Sequence, residues 1–252
     1  MKANLWSTLV VALSATSSLL MFAWPLFIQV SNPDQASLAQ AAFIALMPAL
    51  LVIVLVEFSS GSLDSRRLAV LGLLIAVNSV IRLLGAGVSG IETAFFLIIL
   101  GAFVFGASFG FILGAGSLLV SAMLGAGVGP WLPFQMMAAG LVGIGAGLLG
   151  LFRWKKRLLV ISCYAVPASF FYGALMTMWN WPFLAGLGSS LSFVPGAALV
   201  TNLVGFLKYE LLTGGLVWDL GRAVTTVILI ALTGKTLLVT LTRASKRAQF
   251  VK

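Results

Sequence analysis

Apolar residues run along this chain in long blocks, and short polar or glycine-rich breaks divide them into stretches of helix length at 5–30, 38–58, 68–84, 92–105, 109–124, 134–152, 158–178 and 203–233. None of these runs keeps a polar face for water, and most approach the roughly 20 residues that carry a helix across a bilayer. The pattern predicts an all-α, polytopic membrane protein with about eight transmembrane helices. Trp24-Pro25 predicts an interfacial anchor and a kink near the end of the first helix, and Pro48 predicts a bend in the second. The first run follows only Lys2 and ends in Trp24-Pro25 rather than at a small-residue cleavage site, so it reads as a mature helix and not a secretory signal.

The break at 59–67, SSGSLDSRR, combines serines, a glycine, an acid and two adjacent arginines. It is the natural boundary between a pair of N-terminal helices, 1–65, and a six-helix membrane domain, 66–252. Within the second part, residues 110–150 carry no charge and break once, at GVGPWLPFQ (127–135). Gly110, Gly114, Ser117 and Ser121 fall at helical steps, as do Ala139, Gly143 and Gly147, which predicts two small-residue faces where neighbouring backbones approach.

Composition sharpens this picture. The chain is 61% hydrophobic and 8% charged, has no histidine, and carries a net charge of +9. The basic residues sit at the ends of apolar runs, as topology signals and headgroup contacts do, and no nucleic-acid surface is implied. Eight helices place both termini on one side. If that side is the cytoplasm, Arg66, Arg67 and the cluster at 153–157 lie inside, while the connections near Asp34, 85–90, 127–135 and 179–202 lie outside and hold no lysine or arginine well within them. The expected location is therefore the plasma membrane, multi-pass, with both termini cytoplasmic. The lone cysteine, Cys163, reads as ordinary packing.

Candidate chemistry gathers on the outer connections. Trp131, Trp179 and Trp181 offer flat apolar faces, and Gln135 and Asn180 offer amides, the usual makings of a small-molecule pocket. Arg82 and Glu92 flank one short link at similar depth, and Asn78, four residues before Arg82, shares its helix face. Asp219 and Arg222, at i and i+3, are expected to form an ion pair deeper in the membrane. With no histidine, no catalytic pair among six acids and no GxxxxGK[ST] loop, the chain calls for no enzyme activity, metal or cofactor. Two classes remain at this point: a binding subunit powered by other chains, or a self-sufficient carrier or channel with Asp219 as its coupling group.

From about Arg66 onward the chain resembles the substrate-binding S components of energy-coupling factor (ECF) vitamin transporters, and in detail the longer actinobacterial members. The stretches that carry the resemblance are 90–124, GVGPWLPFQMMAAGLVGIGAGLLG (127–150), YGALMTMWNWPF (172–183) and WDLGRA (218–223). The resemblance implies a six-helix core preceded by two added helices, an outer vitamin site, and a complex with a transmembrane coupling subunit and two cytoplasmic ATPases. It also implies a small-residue coupling face, which Ala69, Gly72 and Ala76 only approximate. Cobalamin or a related corrinoid is the favoured vitamin, with thiamine precursors or another vitamin next.

Overall fold

Apolarity without a polar face dictates helices that pack on one another and on lipid. A computed structural model describes residues 5–27, 33–60, 65–85, 91–183, 191–194, 196–213 and 215–249. In chain order its helices are α1 (Leu5–Phe22), α2 (Trp24–Phe27), α3 (Pro33–Ser60), α4 (Ser65–Gly85), α5 (Phe95–Phe105), α6 (Ala107–Ser121), α7 (Leu132–Leu149), α8 (Arg157–Asn180), α9 (Leu199–Leu212) and α10 (Gly215–Gln249). A π-helical turn, Ala122–Ala126, extends α6, and a 3-10 turn, Trp181–Phe183, extends α8. Among the described residues there is no strand, and five helices are long and apolar enough to cross a membrane: α4, α6 with its π turn, α7, α8 and α10. Shorter apolar helices span Ile44–Val56 and Phe95–Phe105.

The centre of the bundle is α5, in which every residue from Phe95 to Phe103 is buried. A helix that is apolar all round belongs inside other helices, and α4, α6, α7, α8 and α10 all pack on it. Gly106, at φ 98°, makes the reversal from α5 into α6 in a single residue. The tightest pair is α6 with α7, and the two small-residue faces meet there. A side chain at Gly110 would strike the Gly143 carbonyl, one at Gly114 the Ala139 carbonyl, and one at Gly143 the Gly110 carbonyl. Dispersion contacts made at such backbone separation replace a hydrophobic force that lipid does not supply.

The N-terminal helices flank this core. α1 packs on α3 and α8, and α3 on α6 and α7. Phe22, fully buried, meets Phe134 edge-on with 5.5 Å between ring centroids.

The structure corrects several expectations. The predicted eighth helix, 203–233, is two helices: α9 ends at Leu212, Thr213 turns back onto the Tyr209 carbonyl, and α10 starts at Gly215. Glu210 folds onto Gly215, where a side chain could not fit. Lys208 thereby moves from a spanning helix to the exposed side of α9. The first helix stops at Phe22 rather than at residue 30, just ahead of Trp24 and Pro25. α10 takes the basic tail into helix as far as Gln249, while Pro48 lies inside α3 as expected. Cys163 is exposed on α8 rather than packed inside, because its helix face looks outward. The links at 61–64, 86–90 and 184–190 lie outside the described residues.

Candidate functional site

Alternation of helix direction brings the end of α4, the start of α5, the end of α6, the start of α7, the end of α8 and the start of α10 to one end of the bundle. The basic cluster at 153–157 and the C-terminal half of α10 occupy the other.

The polar groups at the first end form two linked pairs. Arg82, on the last turn of α4, donates through Nη1 to Ser121 Oγ at 2.9 Å and lies 3.8 Å from Glu92 through Nε. Glu92 stands just before α5, where its Oε1 accepts the backbone N–H of Ala94 at 3.3 Å. Thr93 donates to the Ile81 carbonyl at 2.6 Å, which fastens the approach to α5 against the end of α4. Ser79 Oγ donates to the Ser117 carbonyl at 3.0 Å and continues this α4–α6 seam inward.

The second pair is Asp219 and Arg222, 2.5 Å apart at the start of α10. Arg222 Nη1 also donates to the Ser169 carbonyl at 3.1 Å, and its guanidinium lies 4.9 Å from the centroid of the Tyr172 ring and 5.9 Å from that of Phe95. The Asp219 carboxylate fills the place a side chain at Gly173 would take, so Gly173 is required for the pair to seat against α8. Desolvated pairs with this many partners hold their geometry tightly, because separating either charge from its partner is costly.

Tyr172 joins the two pairs. It is buried, its ring meets Phe95 edge-on at 4.9 Å, and Glu92, Arg222, Arg82 and Asp219 all lie within electrostatic reach of it. Asn78 sits one turn further into α4 than Arg82. It is fully buried, and neither its Oδ1 nor its Nδ2 has a partner among the described residues. An unpartnered buried amide costs about 1–3 kcal/mol.

The structure thus gathers Asn78, Arg82, Glu92, Asp219 and Arg222, which the sequence treats as two unrelated groups, and forms the Asp219–Arg222 ion pair expected from their spacing. It distributes the aromatic and amide candidates differently. Trp131 is 42% exposed, with its ring folded over Gly129 ahead of α7, and Gln135 and Asn180 are half-buried. Trp179 is buried and stacks on Phe134 at 4.4 Å. Trp181 is fully buried against Phe193 and Phe206 and donates from its indole to the Leu191 carbonyl at 2.8 Å. Both therefore spend their faces on packing.

Tyr172, Phe95, Ser121 and Gly173 escape a reading by spacing. Each belongs to an apolar run, and its polar partner lies on a helix distant in sequence. The one available signal was the pairing of a Tyr-Gly step with an Asp and an Arg one turn apart.

On α4, Ala69, Gly72 and Ala76 are exposed, and no described atom lies within 4 Å of where a side chain at Gly72 would begin.

No curated protein and no solved structure matches the chain. A family model described as "ECF transporter, substrate-specific component" matches residues 66–242, well over half of the sequence, and the chain belongs to that family.

Proposed function

We propose that this protein captures a vitamin, a cobalamin or related corrinoid, at the outer face of the plasma membrane, with both termini cytoplasmic, for ATP-driven import by partner subunits. As a substrate-specific component it is the binding subunit of a transporter and not an enzyme, and such components associate with a membrane subunit and ATPase subunits. The observation that carries the vitamin site is the convergence of Arg82, Glu92, Asp219 and Arg222 on Tyr172, at the end of the bundle opposite the basic clusters. Two neutralised pairs and an unsatisfied Asn78 amide suit a ligand that is bulky, rich in amides and nearly uncharged. Trp131, Gln135 and Asn180 form the rim, with Trp179 and Trp181 shaping it from behind.

Ala69, Gly72 and Ala76 are the proposed contact with the transmembrane coupling subunit, which the ATPases drive. A glycine inside an exposed helix costs about 1 kcal/mol relative to alanine, and close approach of a second helix offsets that cost. The two N-terminal helices are the addition expected of the long actinobacterial form. The carrier reading loses its support from Asp219, whose carboxylate is held by Arg222.

The test is to purify the full chain and identify any copurifying small molecule by absorbance and mass spectrometry. A corrinoid shows visible colour, and a thiamine precursor in its place would replace the ligand while keeping the site. Trp131→Ala and Asn180→Ala should weaken binding by about 1 kcal/mol or more each, whereas Gly72→Leu should spare binding and impair transport. Binding unchanged by either rim substitution would move the site elsewhere.

A further inference from the structure

At the opposite end of the bundle, a groove of about 730 Å³ opens between the start of α8 and the C-terminal half of α10. Six cations line it: Lys155, Lys156 and Arg157 from the approach to α8, and Lys235, Arg243 and Lys246 from α10. No acid lines the groove, and among the described residues none of the six forms an ion pair, in contrast to Arg82 and Arg222. Six like charges lining one groove raise the local concentration of anions there, by an amount that salt screens.

The groove is built by helix register. Lys235, Val239, Thr242, Arg243 and Lys246 recur at steps of four, three, one and three, which is one face of α10. Just before them, Leu158 occupies the space left by the missing side chain of Gly234, and this contact fastens the start of α8 to α10. The groove lies directly beyond it.

Its other lining decides what kind of anion fits. Leu158, Leu159, Leu238 and Val239 give it apolar walls. A soluble phosphate satisfies the cations and leaves these walls wet, whereas a lipid covers both, its phosphate among the cations and its acyl chain on the leucines.

We infer that this groove is a binding site for one anionic phospholipid of the leaflet it faces, phosphatidylglycerol or a lipid of the same charge. The lipid holds α8 against α10 at the end of the molecule remote from the vitamin site. Scattered topology signals need only be present on one side; these six share one groove with an acyl-sized apolar wall. The inference stands apart from the vitamin proposal, because no residue is common to the two sites.

The test is native mass spectrometry of the full chain in a neutral detergent, with phosphatidylglycerol, phosphatidylcholine and inorganic phosphate as probes. The wild type should retain one phosphatidylglycerol with at least about tenfold preference over phosphatidylcholine, consistent with about 1 kcal/mol per cation at a charged surface. The triple variant Lys235→Gln, Arg243→Gln, Lys246→Gln should lose that preference, and Lys208→Gln, which removes a cation elsewhere, should keep it. Equal retention of the two lipids by the wild type overturns the inference, and this comparison needs no variant to fold. Release of the lipid by millimolar inorganic phosphate would make the groove a site for free phosphate instead. Release on assembly with the ATPase module would make it a docking surface for a partner chain.

Discussion

The two ends of this bundle handle charge in opposite ways. At the end bearing Tyr172, charges come in pairs, each arginine meets a carboxylate and a further hydrogen-bond acceptor, and the pairs are mostly buried. At the other end, six cations crowd one groove with no carboxylate among them, and all are exposed. Neutralised, desolvated groups can contact a ligand without demanding that it carry charge, while uncompensated groups must find their counter-ions in the bilayer or in another chain. One sequence thus builds paired, mostly buried charges at one end and, among the described residues, unpaired exposed cations at the other.

The comparison breaks most readily at Arg222. Replacing it with Ala leaves Asp219 buried against Gly173 with no cation, which should cost about 3–5 kcal/mol and lower the melting temperature of the detergent-solubilised chain. Combining Arg222→Gln with Asp219→Asn removes both charges and should recover much of that loss. A single variant as stable as the wild type would mean that the pair is not desolvated as described. A smaller effect, of opposite sign, is expected at Asn78. Asn78→Leu removes an unpartnered buried amide, so thermal stability should hold or rise by up to about 1 kcal/mol while vitamin affinity falls by about 1–3 kcal/mol. A fall in stability with unchanged affinity would assign Asn78 to the scaffold. The smallest effect belongs to the basic end: Lys155→Gln with Lys156→Gln should change stability in detergent by no more than about 0.5 kcal/mol, because these exposed side chains form no ion pair among the described residues.

The fold was legible in the sequence wherever apolarity and small residues fell at helical steps. The stripes Gly110–Gly114 and Ala139–Gly143–Gly147 announce a close helix pair, and they meet in the structure. Helix ends were read less well, since apolar residues continue through them. Nothing in the hydropathy of 203–233 distinguishes one long helix from two, and only the adjacent glycines at 214 and 215 and the polar Thr213 hint at the break.

The site was legible in part for a related reason. Arg82, Glu92, Asp219 and Arg222 stand out because charges are rare in apolar runs, and each pair is close in sequence. That both pairs lie within electrostatic reach of Tyr172 depends on α8 packing against α10 and α5, which no local spacing encodes. The tryptophans show the converse. Their composition suits a binding wall, yet Trp179 is buried in a stack on Phe134 and Trp181 is buried edge-on against Phe193 and Phe206.

The central claim is that this chain binds but does not drive. Its most direct test is uptake of radiolabelled cobalamin into proteoliposomes holding the purified full chain, with and without its ATPase module and with an imposed ion gradient. The account predicts one cobalamin bound per chain in either case, and accumulation only when the module and ATP are present. Accumulation by the chain alone, driven by the ion gradient and abolished by Asp219→Asn, would contradict it.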